Sequence, residues 1–100
     1  MLEKLTASPA ADAFAWYGLA MEYRNEQRIE DALQTFQALR SKFPDYLAQY
    51  LMAGQLLLDE QRPEEALPWL QQGLLVAKAQ NDSKAVGELE SAIAQASADE

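Results

Sequence analysis

Residues 26 to 37 read EQRIEDALQTFQ and residues 60 to 71 read EQRPEEALPWLQ, with seven of the twelve positions identical at a shift of 34. A period of this length constrains a chain more tightly than composition does, because each copy is one supersecondary unit that can bury its apolar side only against a neighbour. The shift also preserves side-chain size beyond the matching stretch. Trp16 falls on Tyr50, Ala20 on Gly54, Tyr23 on Leu57, Ala32 on Ala66 and Phe36 on Leu70. Large stands on large and small on small, so one packing scheme is used twice.

Periodicity and punctuation within each copy predict helices and short turns. Trp16, Leu19, Ala20 and Tyr23 keep the i, i+3, i+4, i+7 spacing of an amphipathic helix over residues 13–25, with Asp12 placed to cap it. A turn around Glu26, Gln27 and Arg28 leads to a second helix over about 29–42, with Ala32, Leu33, Phe36 and Leu39 inward. Pro44 forbids its continuation. Asp45 is placed to cap a third helix over 46–59, and Pro63 suits the first position of a fourth. Pro68 lies inside that fourth helix and removes one backbone hydrogen bond. After Asn81-Asp82-Ser83, the residues Ala85, Val86, Leu89, Ala92, Ile93 and Ala96 mark a last amphipathic helix to about residue 97. No strand signal interrupts this series.

Composition then removes function classes. There is no cysteine and no histidine, so thiolate nucleophiles, imidazole bases, disulfides and zinc sites built from either residue are excluded. Sixteen acidic against eight basic residues leave a net charge of −8, and the cations are scattered, which argues against nucleic acid as a partner. No apolar run approaches the 18 or so residues of a membrane span, and Met1-Leu2-Glu3-Lys4 does not open a signal peptide. The expectation is a cytoplasmic protein of one domain. Glu22 with Glu26, Asp59 with Glu60 and Glu64 with Glu65 read as a solvated face, since no phosphate loop, nucleophile elbow or further ligand accompanies them.

The residues Trp16-x-x-Leu19-Ala20-x-x-Tyr23, followed by Ala32, Phe36 and Pro44, resemble the tetratricopeptide repeat pattern of Trp, Leu, Gly, Tyr, Ala, Phe and Pro. Ala20 replaces the usual Gly. The second copy supplies Tyr50, Ala53, Gly54, Leu57, Ala66 and Leu70, and Lys78 stands where proline is expected, so the fourth helix is expected to run on to about Gln80. The resemblance covers residues 13 to about 80. It implies an all-α fold, a short right-handed α-solenoid of antiparallel helix hairpins with about five helices. Its parts are a lead-in or half-repeat over 1–11, repeats over 12–45 and 46–80, and a capping helix over 82–98. LEKLTAS, residues 2–8, is similar to the tail of a preceding second helix, because Leu2 and Leu5 fall one period before Phe36 and Leu39; it reads either as a half-repeat with a short helix of its own or as a true terminus.

Small residues let backbones approach in such stacks, and Ala20, Ala32, Gly54 and Ala66 are those contact points, with Trp16, Leu19, Tyr23 and Phe36 expected to fill the space around them. Subtracting these leaves a second stripe: Phe14, Tyr17, Met21, Arg24 and Asn25, matched one period later by Ala48, Leu51, Gln55, Leu58 and Asp59. In the resembled family these slots of the first helices line a concave groove that faces the ligand. The resemblance therefore implies a non-catalytic interaction module without cofactor or metal, binding a peptide or helix of a partner protein through Phe14, Tyr17, Met21, Arg24, Leu51, Gln55 and Leu58. The alternatives are self-association, as a homodimer using the same surface, and a stripe covered by the N-terminal segment or the last helix, which makes Phe14 and Tyr17 ordinary core. Tyr17 and Met21 occupy slots where a carboxylate clamp would need Lys and Asn, so a chaperone's acidic C-terminus is not the expected ligand.

Overall fold

The computed structural model describes residues 9–98, which form five helices and no strand among them. These are α1, Pro9–Asn25; α2, Ile29–Lys42; α3, Ala48–Asp59; α4, Pro63–Ala79; and α5, Ser83–Ala98. The expected all-α architecture is therefore observed, with boundaries close to those read from periodicity. Of the lead-in read over 1–11, residues 1–8 lie outside the described residues, and residues 9–11 belong instead to the first turn of α1. The chain divides into two compact units, one through Tyr46 and one from Leu47 onward.

Three turns use one mould. Gln27, Gln61 and Asn81 all sit in the left-handed region, with φ of 63°, 62° and 57°. Around each, two amides reach back to close the helix. Gln27 N–H donates to the Arg24 carbonyl at 3.0 Å and Arg28 N–H to that of Tyr23 at 2.9 Å. Gln61 and Arg62 do the same to Leu58 and Leu57, and Asn81 and Asp82 to Lys78 and Ala77. This paired closure is the Schellman motif, which normally takes glycine at the left-handed residue because a Cβ is strained there. Here glutamine and asparagine occupy it.

The residue after each bend also starts the next helix. Arg28 Nε donates to Asp31 Oδ2 at 3.0 Å, with Nη2 at 2.9 Å from the same oxygen, and the guanidinium carbon lies 4.5 Å from the centre of the Tyr23 ring. Arg62, one period on, donates to Glu65 from both Nε and Nη2 at 2.8 Å. These bonds hold the Glu65 carboxyl below the usual carboxylate range and push the Arg28 guanidinium upward. At the third bend Asp82 Oδ1 accepts from the Ala85 amide at 3.0 Å, a side-chain cap for α5.

Neither residue expected as a cap directly precedes its helix. α1 begins at Pro9, whose missing N–H is harmless at the first helical position, so Asp12 lies inside the first turn and acts only on the helix dipole. α3 begins after Leu47 with no side-chain cap. The turn through Asp45 is closed instead by Tyr46 N–H donating to the Phe43 carbonyl at 3.1 Å, which delays the helix by two residues.

In the first unit α1 packs on α2 through Ala13 and Ala20 against Ala32, Leu33, Phe36 and Leu39, all buried. Leu19, expected inside, is 42% exposed, and Trp16 is only half-buried. Successive helical residues turn by about 100°, so Leu19 points away from the side that Ala20 presses on α2. With Asp12, Ala15 and Trp16 it lines a shallow hollow, and Lys42 Nζ stands 5.6 Å from the Trp16 ring centre. The period-matched residues of the second unit, Tyr50 and Ala53, are fully enclosed.

In the second unit α3, α4 and α5 pack on one another. Gly54 lies against Leu70, so closely that a Cβ there would collide with Leu70 Cδ2 and lie 2.6 Å from Cγ. Gly73 lies against Tyr50 Cβ, with Leu89 Cδ2 of α5 3.1 Å from where its own Cβ would stand. Tyr50 and Trp69 meet with centroids 6.0 Å apart, and Leu89, Ala92 and Ala96 close the unit from α5. Pro68 sits on the exposed side of α4, and the helix continues through it to Ala79, as the absence of proline at residue 78 implied.

Candidate partner-binding surface

Phe14, Tyr17, Met21 and Arg24 recur at i, i+3, i+7 and i+10 on α1, which sets them within an arc of about 80° on one side of the helix. That side is not the one carrying Trp16 and Leu19. Phe14 is the most open, at 65% exposure, while Tyr17, Met21 and Arg24 are half-buried. The Tyr17 ring is anchored from two directions, edge-on to Phe36 with centroids 6.3 Å apart and tilted at 55° to Tyr46 at 5.5 Å. The result is an aromatic ridge fixed from beneath rather than a set of loose side chains. Sequence reasoning missed Tyr46, because a turn residue carries no helical period to reveal the side it faces.

Burial, then the neighbouring Tyr46, push the Tyr17 phenol above its ordinary range, and the charge of Arg24 pulls it partly back. Burial raises Tyr46 in the same direction. The Arg24 charge is thus felt at the Tyr17 phenol. The hydrogen-bond partner of the Arg24 guanidinium is Asn25 Oδ1, at 3.3 Å from Nη2.

In the second unit the corresponding slots differ. Ala48 is exposed, and Leu51 and Gln55 are half-buried on α3. Leu58, read from the sequence as part of the open stripe, is only 5% exposed and belongs to the interior. Helical geometry explains the correction: residue 58 lies about 40° around the helix from Gly54, the centre of the contact with Leu70, and a buried arc wider than 100° includes it. Among the described residues no group of three or more acidic side chains is placed to hold a metal ion, and no helix is long and apolar enough to cross a membrane.

Comparison with solved structures gives the family. A solution structure of a tetratricopeptide repeat domain protein from Salinibacter ruber is 31% identical, covering 84% of this chain and 85% of that one with a TM-score of 0.79. A crystal structure of a tetratricopeptide repeat domain protein from the same organism is 30% identical over 85% of this chain and 96% of that chain, with a TM-score of 0.78. No family model matches the sequence, and no curated protein does. On the structural relatives and the in-phase repeat together, the chain belongs to the tetratricopeptide repeat family, whose members are in general protein-interaction modules.

Proposed function

We propose that this chain is a non-catalytic interaction module that takes a peptide or helix of a partner protein on the Phe14, Tyr17, Met21 and Arg24 face of α1. Leu51 and Gln55 offer the second unit's counterpart of that face. The observation that carries the reading is Phe14. A phenylalanine held 65% open, one helical turn from a Tyr17 ring fixed against Phe36 and Tyr46, keeps apolar area in water at a cost that a bound apolar segment removes. Met21 on the same face adds an adaptable thioether surface. An amphipathic helix or an extended apolar segment laid along such a ridge is the mode of recognition that fits.

The test is site-specific photocrosslinking from position 14, with benzoylphenylalanine replacing Phe14 in cells that make the protein naturally. Crosslinks to a different protein that vanish when the probe is moved to the solvated position 22 support the reading. Crosslinks only between copies of the chain would assign the face to self-association instead, and their complete absence would refute a docking role for α1.

A further inference from the structure

We infer that the segment bound on α1 is an amphipathic helix that brings a carboxylate to Arg24 beside its apolar anchors, although this chain is itself acidic. The inference rests on the proposed binding role of the Phe14 face and specifies its ligand. Carboxylates outnumber cations by sixteen to eight, so a shortage of acids does not explain an arginine without one. Arg28 is tied to Asp31 and Glu26, and Arg62 to Glu65. Among the described residues Arg24 has no ion pair, and its one hydrogen bond is the 3.3 Å contact with its neighbour Asn25.

Position sharpens the contrast. The carboxylates of α1, Asp12 and Glu22, are turned about 140° from Tyr17 around the helix, so none lies on the Phe14, Tyr17, Met21 and Arg24 side. Any segment that covers this stripe also covers the Arg24 guanidinium, whose bond to Asn25 lies open to water. Withdrawn from water and unpaired, that group would oppose binding; matched by a carboxylate it gains charge-assisted, bidentate hydrogen bonds. A lysine there would be repelled at contact distance. The chain's net charge of −8 favours a basic partner only at long range, where salt at about 0.15 M screens it beyond about 8 Å. Contact chemistry therefore decides the sign. With Phe14 and Arg24 ten residues apart, the partner's carboxylate falls about 15 Å along the helix axis from the side chain that meets Phe14.

The test uses three fluorescein-labelled synthetic helices of eighteen residues that share one leucine and phenylalanine stripe and differ at a single end position, as Glu, Gln or Lys. Their binding to the whole chain is followed by anisotropy at 0.15 M salt. The glutamate helix should bind about tenfold tighter than the glutamine helix, the size expected of a charged hydrogen bond, with the lysine helix weakest. In Arg24→Gln the preference should collapse, and in Arg24→Glu the lysine helix should become the tightest. Equal binding of all three helices, with Phe14→Ser still abolishing it, overturns the carboxylate inference and leaves the docking face standing. A glutamate preference that survives in Arg24→Gln overturns it too. Absence of any Phe14-dependent binding removes both.

Discussion

Tyr46, in the turn that follows α2, lays its ring against Tyr17 of α1 with centroids 5.5 Å apart. The contact ties the exposed ridge of α1 to a residue outside either helix of its hairpin. Tyr17 is thus both support and surface, and the two roles separate by substitution. Tyr17→Phe keeps the ring contacts and should leave the melting temperature nearly unchanged. Tyr17→Ala removes a half-buried ring touching Phe36 and should cost about 2–4 kcal/mol in urea unfolding, against about 3–5 for the fully buried Phe36→Ala. Phe14→Ser, at a mostly exposed site, should leave stability within about 0.5 kcal/mol.

The same pair predicts the alkaline limit of the fold. Burial holds the Tyr17 and Tyr46 protons more tightly in the folded chain than in the unfolded one. A phenol raised in this way supports folding below its ordinary pKa of about 10, and the support is lost as pH climbs through the higher folded value. Thermal melts between pH 9 and 11.5 should fall, and Tyr17→Phe with Tyr46→Phe should flatten that fall. An identical slope in the double variant would show that neither phenol contributes.

Glycines divide by what surrounds them. A Cβ at Gly73 would strike Tyr50 Cβ, which cannot swing aside, so Gly73→Ala should destabilise by about 1–3 kcal/mol despite alanine's better helix propensity. Gly18 has nothing within 4 Å of such an atom, and Gly18→Ala should stabilise by about 0.5–1 kcal/mol. Circular dichroism during urea unfolding checks both signs.

The bends allow the opposite exchange. Gln27 and Gln61 are exposed and hold φ near 60°, a conformation strained for any residue with a Cβ. Gln27→Gly and Gln61→Gly should each stabilise by about 0.5–1 kcal/mol, the relief of strain exceeding the added freedom of the unfolded chain. Lower urea midpoints in both variants would mean that the glutamine side chains contribute something the exposed geometry does not show.

The helices and their pairing were legible because a 34-residue period repeats size and punctuation together. Ala20 over Gly54 and Phe36 over Leu70 mark interior positions, and all four are buried. What periodicity could not supply was the width of the buried arc or what covers each flank. Leu19 and Leu58 illustrate the two directions of error. Leu19 keeps the family spacing yet stands open in the first unit, whereas its period-matched Ala53 is enclosed; Leu58 keeps the spacing of the open stripe and is buried. Asp12 and Asp45 carry good cap chemistry, but the proline at residue 9 and the closed turn at Tyr46 moved the helix starts away from them. On the binding face, Phe14 was readable from spacing alone, while the support of Tyr17 by Tyr46 depends on a turn that brings back a residue 29 positions later.

Each compact unit contains one indole, Trp16 beside Lys42 in the first and Trp69 against Tyr50 in the second. Fluorescence can therefore follow the two halves separately. In Trp69→Phe the remaining emission reports only the N-terminal half, and in Trp16→Phe only the C-terminal one, so superimposable denaturation curves would reveal whether two copies of a short repeat melt as a single cooperative event.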